Sequence, residues 1–222
     1  MTARIYTRAG DGGETGLIGG KRVSKADRRI AGLGMLDETN AALGFVLSLS
    51  SPLDRLRAPL AGAQRDLFEA GAIVADDSPK EASEHFARAT ERLERSIDRF
   101  EAELTPLTNF ILPGGSHLGA GLHWARTVCR RAERSLVELE GVLPDGAAPD
   151  GAAPDGAAPD GAAPDGAAPD GASHPAQRSV VVYLNRLSDA LFVWARWANQ
   201  SAGESESIWR PAVGGEEEKE TR

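Results

Sequence analysis

The stretch Phe110 to Glu138, FILPGGSHLGAGLHWARTVCRRAERSLVE, decides the fold. A break at Pro113-Gly114-Gly115 runs into a long helix that carries two stripes. Leu118, Leu122, Ala125, Cys129, Ala132, Leu136 and Leu139 follow one another at alternating spacings of four and three. That is the seam of a helical bundle core. Arg126, Arg130 and Glu133 project about 120° away from the seam, at about 100° per residue, and His123 and Arg134 flank them. An arginine row on a rigid helix, with a glutamate inside it, suits a polyanion. The stripe alone is equally compatible with a solvated face.

Four more helices share this 3-4 spacing. Asp27 caps a first helix running to Ser50, with Asp37, Glu38 and Asn40 in its middle and Gly32, Gly34 and Gly44 along it. Those glycines weaken an isolated helix and permit close packing or the approach of a ligand. A second helix covers 53–75, with Leu56, Leu60, Ala63, Leu67, Ala70 and Val74 at heptad spacing and a late start or a kink at Pro59. A third spans 81–103 through Phe86, Ala89, Leu93, Ile97 and Phe100. The fifth spans 176–200 through Val180, Leu184, Leu187, Leu191, Trp194 and Ala198, with Asn185 and Asp189 on another face. Arg4–Thr7 is the one strand-like segment. The chain reads as all-α, a five-helix antiparallel bundle with a glycine-rich N-terminal loop over residues 1–25.

At 222 residues the chain fits one domain, 1–205. Between the fourth and fifth helices lies the pentapeptide DGAAP, repeated from Asp145. A Pro and a Gly in every five residues forbid helix, so 143–174 reads as a disordered insert in a tolerated loop. Its length adds little closure entropy. Residues 206–222 read as a flexible acidic tail in which Ile208-Trp209-Arg210-Pro211 offers a docking point.

The formal charge is -8, and six of those negatives are repeat aspartates. The rest is near neutral, without the broad basic field of a nucleic-acid binder. Positive charge can still gather at one site. Cys129, the one cysteine, lies on the apolar seam and reads as a small core residue in a reducing cytoplasm. Neither a signal peptide nor a membrane span is expected.

The loop Thr7-Arg8-Ala9-Gly10-Asp11-Gly12-Gly13-Glu14-Thr15-Gly16, followed by Lys21 and Lys25, supplies backbone N–H groups, hydroxyls and cations suited to phosphate. It is not a Walker A loop, because Thr15 and Arg22 stand where Gly and Ser or Thr are required. It is not a dinucleotide fingerprint either. His85, His117, His123 and His174 form no ligand cluster, and no Glu-x-x-His pair is present, so no metal site is assigned to protein side chains.

Taken in order, Thr7-Arg8-x-Gly10-Asp11-x-Gly13-x-Thr15, Arg22-Val23-x-Lys25, Asp37-Glu38-x-Asn40, Phe110-Ile111-Leu112-Pro113-Gly114-Gly115, Arg126-x-x-Cys129-Arg130-Arg131-Ala132-Glu133-Arg134 and Leu184-Asn185-Arg186-Leu187-Ser188-Asp189 resemble the PduO-type ATP:cob(I)alamin adenosyltransferases. The likeness covers 4–48 and 110–200. It implies a homotrimer of ferritin-like bundles with active sites between subunits. It implies transfer of the 5′-deoxyadenosyl group of ATP to cobalt of cob(I)alamin, with Mg²⁺ accompanying the triphosphate. By the same likeness Thr7, Arg8, Ala9, Gly10, Thr15, Gly16 and Lys25 line the ATP loop. Arg130, Arg131, Ala132, Glu133, Arg134 and Asn185 complete it from the bundle, with Arg130, Glu133 and Phe110 in catalytic roles. Phe110 sits under the corrin and displaces its lower axial base, although its apolar character alone reads as core. Asp37 pairs with Arg126 across the subunit interface. A reductase supplying cob(I)alamin and a mutase receiving the product are implied partners.

The bottom-up chemistry agrees. Cob(I)alamin is itself the nucleophile, so the protein needs none, and a triphosphate leaving group calls for fixed cations. Gly16 departs from the family by lacking a hydroxyl that some members have. Two rivals remain at this stage: a non-catalytic ATP- or corrinoid-binding module, and a structural helical oligomer.

Overall fold

The computed structural model describes residues 6–51, 55–76, 83–140 and 174–210. The pentapeptide repeat, the acidic end from Glu216 to Arg222, and the start of the strand expected at Arg4–Thr7 lie outside them. Seven elements follow in order: β1 (Glu14–Gly16), β2 (Arg22–Ser24), α1 (Arg28–Leu49), α2 (Arg57–Ala75), α3 (Glu84–Glu101), α4 (His117–Glu140) and α5 (Pro175–Ser201).

The five helices of the sequence reading are all present. Asp27 caps α1 as expected, its carboxylate accepting the Arg29 N–H at 2.8 Å. Pro59 sets the late start of α2, because it falls within the first turn, where backbone N–H groups have no intrahelical partner. Glu84 in the first turn and Arg99 in the last suit the dipole of α3. Pro175 opens α5, where its fixed φ suits a helix start.

One expectation is corrected. The strands lie inside the glycine-rich loop, where β1 and β2 pair antiparallel with Thr15 opposite Val23. Gly19 and Gly20, both with positive φ, turn the chain between them.

α5 is the centre of the bundle, packed against α4 and α3 and touching α2. Tyr183, Leu184, Leu187, Leu191 and Trp194 are fully buried along it. The seam of α4 behaves as read. Leu122, Ala125, Cys129, Ala132 and Leu136 are buried, and the end residues Leu118 and Leu139 are partly so. Cys129 donates from Sγ to the Leu184 carbonyl at 3.4 Å, and burial pushes its thiol pKa up, so it stays a neutral core residue.

α2 and α3 touch little. Asp66, nearly buried on the α2 seam, bridges them. It accepts from Arg92 at 3.1 Å, from Tyr183 Oη at 3.1 Å, and lies 2.9 Å from His85 Nε2. The buried acid therefore has partners from α3 and α5.

α1 reaches the length and apolar content of a weak membrane-span candidate. It is nevertheless a bundle helix, packed on α2 and α4 with Leu36, Leu43 and Val46 inside and Asp37 and Glu38 exposed. At Gly32 α1 lies close against α4, since a Cβ there would stand 2.8 Å from Leu136 Cδ2. Gly32→Val should overpack this contact and cost about 1–3 kcal/mol. Urea unfolding should show a lower midpoint with an unchanged m-value, and an unmoved midpoint would show that α1 can step aside.

Candidate active site

The edge of α4 that the core leaves bare meets α5. Arg126 and Glu133 are half-buried and Arg130 is exposed. Glu133 Oε1 accepts from Asn185 Nδ2 at 3.0 Å, so the glutamate orients that amide. Arg126 lays its guanidinium 5.4 Å from the centre of the Phe192 ring. Burial and the neighbouring Arg130 charge lower its pKa, while Asp189 opposes them. Arg186 is tied to Glu94 at 3.0 Å and Asp189 at 2.9 Å.

The remaining residues of this row have different fates. Arg131 forms an ion pair with Glu38 of α1, and Arg134 is exposed. Ala132 is fully buried in the core seam, as its spacing reads, so its methyl faces the core. His123 is also inside, with Nε2 unpartnered and its ring 5.9 Å from Phe192.

Below Arg126 opens a cavity of about 640 Å³ whose walls include Leu107, Phe110, Ile111, Arg126, Asp189 and Phe192. That volume suits a small-molecule pocket. Phe110 is 74% exposed, which overturns the reading of it as core. Its ring meets Trp209 edge-on at 6.4 Å. A bare phenylalanine on a cavity wall is the informative kind of exposure.

The N-terminal loop is folded. Arg8 adopts φ 59 with its guanidinium 5.8 Å from the Tyr6 ring. Arg22 donates to the Ala9 carbonyl at 2.8 Å, and Lys25 N–H donates to Gly13 at 2.8 Å. The Lys25 ammonium lies beside Gly10, where a Cβ would sit only 3.2 Å from Nζ. Thr7 Oγ1 accepts the Ala9 N–H at 3.4 Å. Thr15 and Gly16 line a second cavity of about 400 Å³ with Asp37 and Asn40 of α1 and Phe68 of α2. Ile18 N–H donates to Ala75 at 3.2 Å, which clips the loop to the end of α2, and Arg29 of α1 donates to Val74 and Asp76 at the same end.

The loop and the arginine edge thus occupy separate places. The loop lies on α1 and α2, and the edge lies on α4 and α5. Asp37 and Arg126 line different cavities. A third cavity, about 520 Å³ between α2 and α3, was not foreseen; its Arg92, Arg95 and Arg99 are engaged by Asp66, Glu91 and the Phe100 ring. Among the described residues no group of three or more His, Cys, Asp or Glu is placed to hold a metal.

Sequence reasoning missed Arg196, Asn199 and Glu206. Arg196 is buried and holds Glu206 at 2.6 Å and the Thr105 carbonyl at 2.8 Å. Asn199 accepts from Ser116 N–H and Oγ, both at 3.0 Å, and donates to Gly114 at 2.8 Å. A Cβ at Gly115 or Gly119 would collide with the Asn199 side chain. Within the Gly-Gly break, Gly115 is the position that Asn199 packs against, while Gly114 offers its carbonyl to the same side chain. The first residues of the tail expected from 206 are held at the docking point read at Ile208-Trp209. Ile208 bridges Ile111, Leu112 N–H donates to Ser207 and Trp209 N–H donates to Phe110, each at 2.8 Å, so Glu206–Trp209 is docked.

The family model described as cobalamin adenosyltransferase matches residues 5–149. The chain belongs to the cobalamin adenosyltransferase family. Among members of this adenosyltransferase family, a corrinoid adenosyltransferase of Mycobacterium tuberculosis is 41% identical over 214 residues, spanning 94% of this chain and 93% of that one. The corrinoid adenosyltransferase PduO of Salmonella typhimurium is 36% identical, covering 92% of this chain but 52% of its own. Among solved structures, a phenylalanine-to-histidine variant of a PduO-type ATP:corrinoid adenosyltransferase from Lactobacillus reuteri, complexed with cobalamin and ATP, has a TM-score of 0.73 at 31% identity, covering 94% and 97% of the two chains.

His123 gives this adenosyltransferase bundle a pH dependence. Burial first, then the Arg126 charge, holds its pKa below the ordinary 6.5, with Glu206 opposing. The unfolded chain takes up that proton near 6.5 and the folded chain does not. Stability from this group is therefore complete above 6.5 and lost as pH falls through the folded value. Urea midpoints between pH 7.5 and 5.5 should fall, and His123→Leu should flatten that fall. An identical slope in both proteins would remove His123 as its source.

Proposed function

We propose that this chain is an ATP:cob(I)alamin adenosyltransferase, transferring the 5′-deoxyadenosyl group of ATP to cob(I)alamin and releasing triphosphate. The observation that carries the reading is the cavity with bare Phe110 on one wall and Arg126 on another, one helical turn from Arg130. It gives a large apolar ligand and a polyanion adjacent places. The relatives named for this activity, and solved neighbours holding cobalamin and ATP, support it.

The cobalt(I) electron pair attacks C5′ of ATP. The C5′–O bond breaks, and its electrons leave on the triphosphate. No protein nucleophile is needed. Arg130, Lys25 and Arg8 supply fixed positive charge to the leaving group, and Thr7, Ala9, Gly10, Thr15 and Gly16 frame it. Glu133 holds Asn185 toward the nucleotide, with Arg131 and Arg134 at the rim of the same row. Mg²⁺ would come with the triphosphate, held largely by phosphate and water, and would offset the charge that grows on the leaving group. Phe110 forms the floor on which the corrin rests and takes the place of the lower axial base.

The separation of loop and arginine edge within one chain supports a homotrimer whose neighbouring copies complete each site, with Asp37 of one copy facing Arg126 of the next. Cytoplasmic location, a reductase that supplies cob(I)alamin and a mutase that takes the product complete the proposal.

The deciding experiment is spectral conversion of cob(I)alamin to adenosylcobalamin by the purified chain with ATP and Mg²⁺. Binding of both ligands without conversion would favour the non-catalytic module instead. Arg130→Ala should lose on the order of 2–4 kcal/mol of transition-state stabilisation while its thermal melt stays normal. Near-wild-type turnover would take Arg130 out of the site. Asp37→Asn should weaken assembly, because breaking one side of a buried pair costs roughly 3–5 kcal/mol. Sedimentation at low micromolar concentration reads this directly, and an unchanged trimer would refute the pairing.

A further inference from the structure

Phe110 presents a puzzle of placement. Its ring is 74% exposed and touches Trp209, itself 48% exposed, so side-chain packing does little to hold it. A reacting corrin needs its floor fixed to a fraction of an ångström. The order must come from the main chain around Phe110.

That main chain is tied at three points, all reached from α5 or from the segment beyond it. Upstream, the Arg196 guanidinium donates from Nη2 to the Thr105 carbonyl at 2.8 Å. Downstream, Asn199 takes the Ser116 N–H and hydroxyl at 3.0 Å and gives its amide to Gly114 at 2.8 Å. At Phe110 itself, the carbonyl accepts the Trp209 N–H, and two residues on Leu112 N–H donates to Ser207. The chain that provides this strand-like partner is anchored by Glu206, whose carboxylate takes Arg196 Nε at 2.6 Å and Nη2 at 3.2 Å. Arg196 is 5% exposed, so the pair is worth little to water and much to geometry. One guanidinium thus holds both strands of the pairing that presents Phe110. A fork with two fixed N–H directions can do this where an ammonium cannot.

We propose that Arg196 and Glu206 are positioning residues for Phe110, acting through the backbone pairing of 110–112 with 207–209, with Asn199 fixing the same segment from its other end. The proposal rests on the adenosyltransferase reading for its consequence but not for its geometry. Glu206 pairs with Arg196 and is not among the residues proposed to hold ATP. Its loss should release the Phe110 floor and leave the phosphate site intact.

The test has one arm that needs no activity. Amide hydrogen exchange in the full chain should speed up at Leu112 and Trp209 by about tenfold or more in Glu206→Ala, with amides of the α4 seam unchanged. Glu206→Gln keeps an acceptor oxygen for Arg196 and should restore most of the protection. Trp209→Pro removes the N–H that the Phe110 carbonyl accepts while leaving the Arg196 pair in place, and should loosen Leu112 in the same way. The second arm reads function. Glu206→Ala should raise KM for the corrinoid and diminish the four-coordinate spectrum of cob(II)alamin bound with ATP, by about tenfold each, while ATP affinity by calorimetry stays within about twofold. Adding Phe110→Ala should then cost nothing more than Phe110→Ala alone, since both remove one device. Unchanged exchange at Leu112 and Trp209, or losses that multiply in the double variant, would overturn the proposal. Faster exchange in a protein whose wild type makes no adenosylcobalamin would sink the enzymatic reading and leave the positioning intact.

Discussion

Everything in this fold follows from α4 having to be buried along one edge and bare along the next. The seam from Leu122 to Leu136 is shut against α5 and α1. With that edge closed, helical geometry leaves Arg126, Arg130 and Glu133 no choice but the groove beside α5. The tight approach of α1 at Gly32 and the Cys129 contact to Leu184 fix how far α4 can roll. A rotation that hid the arginines would expose leucines at about 1.5–3 kcal/mol each. The chemistry is therefore held by the core, and the charged row needs no structure of its own.

Much of this could be read from the chain. Helix number, the Asp27 cap, the α4 seam and the exposed arginine row all depend on short-range periodicity, which one sequence carries in full. What escaped depends on contacts between distant segments. Arg196 sits on the inward side of α5, where a charged residue looks misplaced until Glu206 and Thr105 are brought to it. Asn199 looks like ordinary helix-end polarity until Gly114 and Ser116 meet it. Phe110, which residue type alone reads as core, lies exposed on a cavity wall, because an apolar ring gives no sign of whether it faces a core or a cavity. Ala132 sits on the seam as its spacing reads, so it can meet a ligand only through its backbone.

The body of the chain also keeps its charges local. Arg131 answers Glu38, Arg186 answers Glu94 and Asp189, and Arg92 answers Asp66. Arg126 instead has a lowered pKa and the Phe192 ring beside it. A cation in that state gains the most when an anionic group arrives, because less competing hydration must be stripped away. Charge economy elsewhere makes this edge stand out against a nearly neutral background.

The pentapeptide repeat enters after Glu140 and rejoins at His174, where α4 ends and α5 begins. Phe110 and its ties lie beyond the other end of the same hairpin, roughly 36 Å away along a 24-residue helix. The two junctions through which the insert joins the bundle are thus set at the end of the α4–α5 hairpin away from Phe110. A change in the number of repeats alters the span between those junctions and not the lengths of the helices that carry Arg126, Arg130 and Asn185.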